Sequence, residues 1–220
     1  MIEQGDCVAV GVSGGKDSVA MLCALAEMRR FYPKAFEIKA ISVDPCFFGK
    51  ESDFSAIEQL CARLDVEYII KRTNLYHIIF ETRKESNPCS LCARMRRGLL
   101  HDAAKAAGCN KIALGHHMDD AAQTVLMNLF RGGRFACFSP KSYLSRKDLY
   151  MIRPMIYVPE RYIENLALRE SLPVLVSACP ADGNTARQDT AALLQTLGKD
   201  YESLPDKILH ALQTDGISGW

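Results

Sequence analysis

With 220 residues and 24.5 kDa, of which 48% are hydrophobic and 24% charged, the chain can bury one sizeable core, and composition argues against disorder. It has no run of about 18 apolar residues and no basic-then-apolar leader at Met1–Asp6, so no membrane partner is expected and the cytoplasm is the expected location. The net charge of +1 conceals an uneven distribution: residues 83–153 sum to +8, residues 1–82 to −3 and residues 154–220 to −4, which makes the middle segment a candidate polyanion-binding face.

Residues 7–12, Cys-Val-Ala-Val-Gly-Val, read as a short buried strand. The spacing of Val19, Leu22, Leu25, Ala26 and Met28 predicts a helix over 18–30, and a second strand follows over 37–43. Phe54, Ile57, Leu60, Cys61 and Leu64 share one face of a helix over 52–64. A third strand is predicted over 66–70, a helix over 90–107 stopped at Gly108, a fourth strand over 111–115, and a helix over 119–131 stopped by Gly132-Gly133. After a turn-rich stretch at Ser139-Pro140 comes a fifth strand near 149–153. The last third reads as helical over 159–171, 184–198 and 204–214, with a short extended piece over 172–176. Such alternation calls for right-handed βαβ units. The expected fold is α/β, a doubly wound and mainly parallel sheet with a helical C-terminal extension. The expected division is a nucleotide-binding α/β domain over 1–155, containing the helix near 90–107, and a mainly helical segment over 156–220 packed on it.

Directly after the first strand stands Ser13-Gly14-Gly15-Lys16-Asp17-Ser18. A strand, a glycine loop and a helix start direct backbone N–H groups and a helix N-terminus at one point, which suits phosphate oxygens. The loop is not a Walker A motif, which would need Gly at Val10 and Ser or Thr at Asp17. Nor is it a dinucleotide fingerprint, because Ser13 occupies the place of a glycine. An Asp beside an anion site asks for a metal ion to join it. The plainer reading is a capped strand-to-helix turn.

At the end of the fourth strand stands Gly115-His116-His117-Met118-Asp119-Asp120. Ligands of doubly wound sheets bind beyond the carboxyl ends of strands, so this string should face the first loop. Asp119 and Asp120 read either as helix-capping carboxylates or as groups that help hold Mg²⁺ on a nucleotide, with His116 shaping the pocket.

Of nine cysteines, Cys7, Cys23, Cys61 and Cys109 sit singly in apolar patterns and read as core residues. Cys89 and Cys92, in Asn87-Pro88-Cys89-Ser90-Leu91-Cys92, share the start of a helix with Arg96 one turn on. A cation and a helix N-terminus are expected to lower a thiol pKa and favour the metal-binding thiolate. Cys179, before Pro180, is the third candidate ligand, and thiolates favour zinc or an iron–sulfur cluster. Two buried cysteines, or a redox pair, are the other readings of the C-x-x-C. The basic residues Arg94, Arg96, Arg97, Arg131, Arg134, Lys141, Arg146, Lys147 and Arg153 surround these motifs in sequence and read either as ordinary solvated surface or as a face that holds an RNA strand beside the motifs.

Ser13–Ser18 resembles the pyrophosphate loop, S-G-G-x-D-S, of the PP-loop ATP pyrophosphatases, and Gly115–Asp120 resembles the G-H-x-x-D-D element of their tRNA-modifying members. The full order, from about residue 5 to 212, closely resembles the TtcA-like tRNA 2-thiocytidine synthetases. The resemblance implies that Ser13, Gly14, Gly15, Asp17 and Ser18 hold ATP phosphates, that Val43, Asp44, Gly115 and His116 lie about the nucleotide, and that Asp119 and Asp120 bind Mg²⁺. It implies a [4Fe–4S] cluster on Cys89, Cys92 and Cys179 with one iron open for sulfur. The activity implied is adenylation of the C2 oxygen of a tRNA cytidine and its replacement by sulfur. Asp119 and Arg96 are then the expected catalytic groups, and Arg94, Arg97, Arg146 and Lys147 the expected RNA contacts. The expected partners are tRNA, a sulfur donor such as a cysteine desulfurase, and a second copy in a homodimer. An ATP-dependent amine ligase of the same superfamily, or a nucleotide-responsive RNA-binding protein without turnover, are the competing expectations.

Overall fold

The computed structural model describes residues 1–83, 88–176, 178–179, 186–214, 217 and 219–220. The readings that fall on Asn87, Pro180 and the helix start at residue 184 lie outside them. A six-stranded sheet with the order β3-β2-β1-β4-β6-β5 organises the chain. Its strands are β1 (Cys7–Gly11), β2 (Glu37–Asp44), β3 (Glu67–Arg72), β4 (Lys111–Ala113), β5 (Lys141–Leu144) and β6 (Leu149–Ile152). All neighbours are parallel except β5, which runs antiparallel to β6 with Lys141 opposite Ile152 and Leu144 opposite Leu149. Strand β5 was not expected from the sequence. It is a short polar edge whose tyrosine and serine pattern carries little strand signal, and an antiparallel edge on a parallel sheet is a common addition.

The central strands are apolar because helices cover both faces. Val8 and Val10 face α1 (Lys16–Met28), α2 (Ser55–Arg63) and α5 (Glu160–Arg169) through Val19, Leu22, Ile57, Leu60 and Ile163. Ala9, Ile41 and Ile112 face α3 (Pro88–Ala106) through Leu100 and Ala104. Successive strand residues point to opposite faces, so one apolar run serves two cores. Beside the sheet, α4 (Met118–Gly132) packs Met118 and Ala121 against Leu209 of α7 (Leu204–Thr214), and Ala122 and Leu126 against Leu194 of α6 (Ala186–Gly198). Of the four cysteines read as core residues, Cys61 and Cys109 are buried, and burial pushes their thiols up to about 11 and about 12, whereas Cys7 and Cys23 are half-buried at the edge of the core.

The order reverses between β1 and β4. The chain winds outward from β1 through β2 to β3, then returns to the other side of β1 with β4. That reversal leaves a crevice beyond the carboxyl ends of β1 and β4, the place where such sheets bind ligands. At the opposite end the same two strands are clamped by charge. Lys111 at the start of β4 is 5% exposed at its side chain and bonds the carboxylate of Asp6, itself 6% exposed, and the Met1 carbonyl at 2.9 Å. Asn110 donates to the same carboxylate at 2.9 Å. Burial alone would raise the Asp6 pKa, but Lys111 and the amide donors hold it below the usual range. Among the described residues no helix is long and apolar enough to cross a membrane.

Removing one partner of a buried pair leaves the other charge uncompensated. Asp6→Ala is therefore expected to cost about 3–5 kcal/mol, measured as a lowered urea midpoint with an unchanged slope.

Candidate active site

The loop between β1 and α1 closes on itself. Ser18 is buried beneath it; its hydroxyl accepts from the Ser13 N–H at 3.1 Å and donates to the Gly15 carbonyl at 2.8 Å. The structure thus gives Ser18 the task of shaping the loop, while Ser13 and Gly15 line the cleft above it. Gly14 has φ +91, a conformation that favours glycine. A Cβ there would also meet Leu175 at 3.0 Å. The extended piece predicted over 172–176 carries no regular strand and instead crosses this loop, with the Leu175 N–H donating to the Gly14 carbonyl at 2.9 Å.

The predicted meeting of the two motifs occurs by close backbone contact. A Cβ on Gly115 would lie 3.1 Å from the Asp17 carbonyl and the Ser18 nitrogen, so the turn after β4 rests directly on the first turn of α1. Around this contact four carboxylates surround His117, whose side chain is buried. Its ring lies 3.9 Å from Asp17, 3.7 Å from Asp119, 3.5 Å from Asp120 and 3.9 Å from Glu160. Lys16 bridges Asp17 at 2.9 Å and Glu160 at 2.5 Å. Burial works against the charge on His117 and Lys16, yet the facing carboxylates raise both pKa values. Burial likewise opposes ionisation of Asp119, while His117 and the Glu160 N–H hold its pKa low.

Asp119 and Asp120, read from the sequence either as helix-capping carboxylates or as magnesium ligands, both accept backbone N–H groups. Asp119 accepts the Glu160 N–H at 2.7 Å and so caps α5. Asp120 accepts the His117 N–H at 3.1 Å and pairs with Arg187 at 3.0 Å. Among the described residues, the donor atoms lying within 4.8 Å of one another belong to Asp17, His117 and Glu160. Lys16, His117 and Glu160 were not assigned from the sequence. His117 stood inside a quoted string, but nothing local announces that Glu160, 144 residues from Lys16, returns to this point.

His116 is locked rather than free. Arg153 donates from Nε to His116 Nδ1 at 3.2 Å and stacks its guanidinium 4.5 Å from the Phe138 ring centroid. Burial, with the Arg153 and Arg187 charges, pushes the His116 pKa from 6.5 down to about 3. Arg153 itself is buried, which corrects its reading as a surface cation for RNA. Val43 lines the cleft as expected. The Asp44 carboxylate is fully buried and accepts from the Cys46 and Ser52 N–H groups at 3.0 and 2.9 Å and the Ser52 hydroxyl at 2.9 Å, which fixes the turn after β2.

The third motif reaches the same cleft from the other side. A space of about 570 Å³ is lined by Ser13 and Gly15, by Val43, by Arg96 from α3, and by Leu175–Val176 and Ala178–Cys179. A smaller space of about 220 Å³ beneath it is lined by Gly11–Ser13, Ile41, Leu114 and the Arg96–Arg97 face of α3. Cys89 is exposed at the start of α3 and Cys92 is half-buried. Burial first, then the neighbouring Cys179 and Cys89, raise the Cys92 pKa; Arg96 lowers it but does not win. The expected thiolate-favouring shift is thus reversed by desolvation, while the coupling shows the three thiols to be neighbours. A single zinc ion needs its sulfur ligands about 2.3 Å from one centre, whereas each cysteine on a cluster binds its own iron.

Of the basic residues, Arg94 and Arg97 are exposed on α3 beside the thiols. Arg146 and Lys147 lie in the β5–β6 turn, at the amino ends of the parallel strands and so at the opposite end of the sheet from the glycine loop. Lys147 pairs there with Asp102. Arg131 pairs with Asp189 at 3.3 Å.

Comparison with known proteins agrees with this geometry. Residues 3–186 match the PP-loop domain family. The chain is 39% identical over 215 residues to the tRNA-cytidine(32) 2-sulfurtransferase of Citrifermentans bemidjiense, covering 96% of the chain and 84% of that protein. It is 39% identical over 217 residues to the protein of the same name from Alkalilimnicola ehrlichii, covering 97% of the chain and 68% of the relative. Among solved structures, the U34-tRNA thiolase NcsA from Methanococcus maripaludis with its [4Fe-4S] cluster superposes with a TM-score of 0.78 at 26% identity, over 96% of the chain and 72% of that protein.

His116 remains neutral in the folded protein down to about pH 3, whereas the unfolded chain takes up the proton near 6.5. The unfolded state then binds more protons between these values, so stability should fall by up to about 1.4 kcal/mol per pH unit as pH drops from 6 to 4. His117 has the opposite shift and contributes stability that is complete below 6.5 and fades as pH rises through its folded value, so it does not mask this window. Urea midpoints across pH 4–6 should show the slope in the native protein and a flatter one in His116→Gln.

Proposed function

The chain belongs to the tRNA-cytidine 2-sulfurtransferase family of PP-loop proteins, and from that membership we propose how its own residues carry out ATP-dependent thiolation of tRNA. The reaction uses ATP to adenylate the C2 oxygen of a cytidine and then replaces that oxygen with sulfur. The observation that carries the reading is the convergence of Cys179, Arg96 and the glycine loop on one cleft, from segments far apart in the chain, with Cys179 and Cys89 both near enough to Cys92 to raise its pKa.

ATP phosphates are held by backbone N–H groups of Ser13–Gly15 and by the N-terminus of α1, which favours negative charge. Asp17 and Glu160 supply hard oxygen ligands for Mg²⁺ on those phosphates, the donor type that ion requires. Lys16 and His117 balance the surrounding carboxylates, and Asp119 and Asp120 fix the start of α5 and the turn after β4. Gly115 lets that turn rest on α1, and neutral His116, held by Arg153, walls the nucleotide site with Val43. The cytidine C2 oxygen attacks the α-phosphorus, the bond to pyrophosphate breaks, and pyrophosphate leaves. Arg96 stabilises the negative charge that develops, as a preorganised cation in a sheltered cleft does. A sulfur nucleophile then adds at C2, and AMP departs with the original oxygen.

Cys89, Cys92 and Cys179 suit a [4Fe–4S] cluster, since three protein thiolates leave one iron without a protein ligand. When bound, that cluster supplies a place to carry the sulfur atom. Arg94 and Arg97 beside the thiols are placed for tRNA phosphates, with Arg146 and Lys147 as a more distant second contact. A cysteine desulfurase as sulfur donor, a homodimeric state and a cytoplasmic location complete the proposal. Helix α5 packs on α1 and Leu175 bonds Gly14, which supports an ATP-binding unit over 1–155 with residues 156–220 packed on it.

Anaerobically reconstituted protein should be brown and contain iron and sulfide. Cys89→Ala, Cys92→Ala and Cys179→Ala should each lose the colour, while Cys23→Ala keeps it; native protein that takes up no iron overturns the thiolation reading. Asp17→Ala should lower tRNA-dependent pyrophosphate release about 10²-fold or more, from loss of a charge at the phosphates. Nucleosides of tRNA from a deletion strain, analysed by mass spectrometry, should lack 2-thiocytidine.

A further inference from the structure

Beside the reaction cleft lies a second hollow that the thiolation chemistry does not use. It has a volume of about 400 Å³ and is separated from the cleft by the single turn of 3-10 helix Phe47–Gly49. Phe47 lines the reaction cleft, and Phe48, the next residue, lines the hollow. Phe48 is 57% exposed and packs its ring at 4.9 Å, tilted, on Tyr76. Tyr76 in turn stacks on Phe80 at 5.2 Å and meets Phe47 edge-on at 6.2 Å. The result is an aromatic shelf that continues from one cavity into the other.

The backbone that presents this shelf is unusual. Phe48 has φ +56 and ψ +28, and Cys46 before it φ +51 and ψ +59, both in the left-handed region that bulky residues avoid. Strain of this kind persists where surrounding contacts enforce it and gathers at ligand sites. Here the Asp44 carboxylate holds the Cys46 N–H, and the Tyr76 N–H donates to the Pro45 carbonyl at 3.2 Å. Opposite the turn, His77–Thr82 forms a π-helical segment, a rare form also concentrated at functional sites. The walls are polar. Arg72 pairs with Glu51 at 2.6 Å, His77 with Glu81 at 2.5 Å, and the Asn74 amide lines the hollow with no side-chain hydrogen bond among the described residues.

An aromatic face with an amide beside it is the chemistry that recognises an unpaired nucleobase: the ring stacks, and the amide meets the donor–acceptor edge. We propose that this hollow receives a single-stranded nucleobase of the RNA substrate, next to the nucleotide being modified, stacked on Phe48 and Tyr76 and contacted by Asn74. The assignment rests on the tRNA-thiolation reading, because the hollow adjoins, through Phe47, the cleft lined by Cys179 and the glycine loop. It adds to that reading a specificity site for the sequence or shape of the loop around the target.

The test is fluorescence-anisotropy titration, at low salt, of a labelled anticodon stem-loop RNA containing the target cytidine, with a fully double-stranded RNA of equal length as comparison. Stacking losses on alanine substitution correspond to roughly 5-fold to 150-fold in affinity. Phe48→Ala is expected to raise the Kd for the stem-loop about 5-fold or more and to leave the duplex unaffected; Phe48→Trp should remain within about twofold of the native value. Asn74→Ala, at an exposed position, should also weaken the stem-loop, and thermal unfolding of each variant should match the native protein. Native affinity in both Phe48→Ala and Asn74→Ala overturns the proposal, as does an equal loss for duplex and stem-loop. Failure of the native protein to bind either RNA would instead remove the tRNA reading on which it stands.

Discussion

Gly115 lets the turn after β4 lie directly against the first turn of α1, and that contact brings the two motifs of the site together. A methyl group there would sit 3.1 Å from three backbone atoms, the carbonyl carbon and oxygen of Asp17 and the nitrogen of Ser18, a tight contact that would push the two turns apart. With glycine in place, the turn after β4 closes onto the glycine loop across the point where strand order reverses. The Asp17 carboxylate from one motif then lies 3.9 Å from the His117 ring of the other. The sheet topology creates the crevice; this close approach sets its width.

Electrostatics follow from that geometry. Four carboxylates, a lysine and a histidine occupy a small volume, and each raises or lowers the pKa of its neighbours against the pull of burial. The adjacent His116 goes the other way because burial, and then the arginine charges beside it, disfavour its protonated form. Two consecutive histidines therefore shift in opposite directions, His117 upward among acids and His116 downward in a dry site beside Arg153. A site that must hold a polyanion and a divalent cation together benefits from such separation, since neither ligand meets a like charge at its own contact.

The segment over 172–179 ties the two halves of the chemistry together. Leu175 bonds the glycine loop through its backbone, and four residues later Cys179 faces the cleft. The same short run of chain thus touches the phosphate-binding loop and supplies a thiol.

Local pattern was enough for the helices, the five parallel strands, the glycine loop and the cysteine pair, because apolar periodicity and turn residues act over a few neighbours. It was also enough to pair the first loop with Gly115–Asp120, since ligands gather at the carboxyl ends of such strands. What the sequence could not decide was which distant groups share a volume, and how dry that volume is. Glu160 joins Lys16 only because α5 crosses back over α1; Arg153 is withdrawn from solvent only because it reaches His116; Arg146 and Lys147 are carried to the far end of the sheet only because β5 turns back beside β6. Cys92 shows the same limit in one residue: the cation one turn away was visible in the sequence, but the desolvation that outweighs it exists only once the helix is packed. Proximity along a chain fixes local dihedrals and faces, whereas charge states depend on burial and on partners brought in by the crossovers of the sheet.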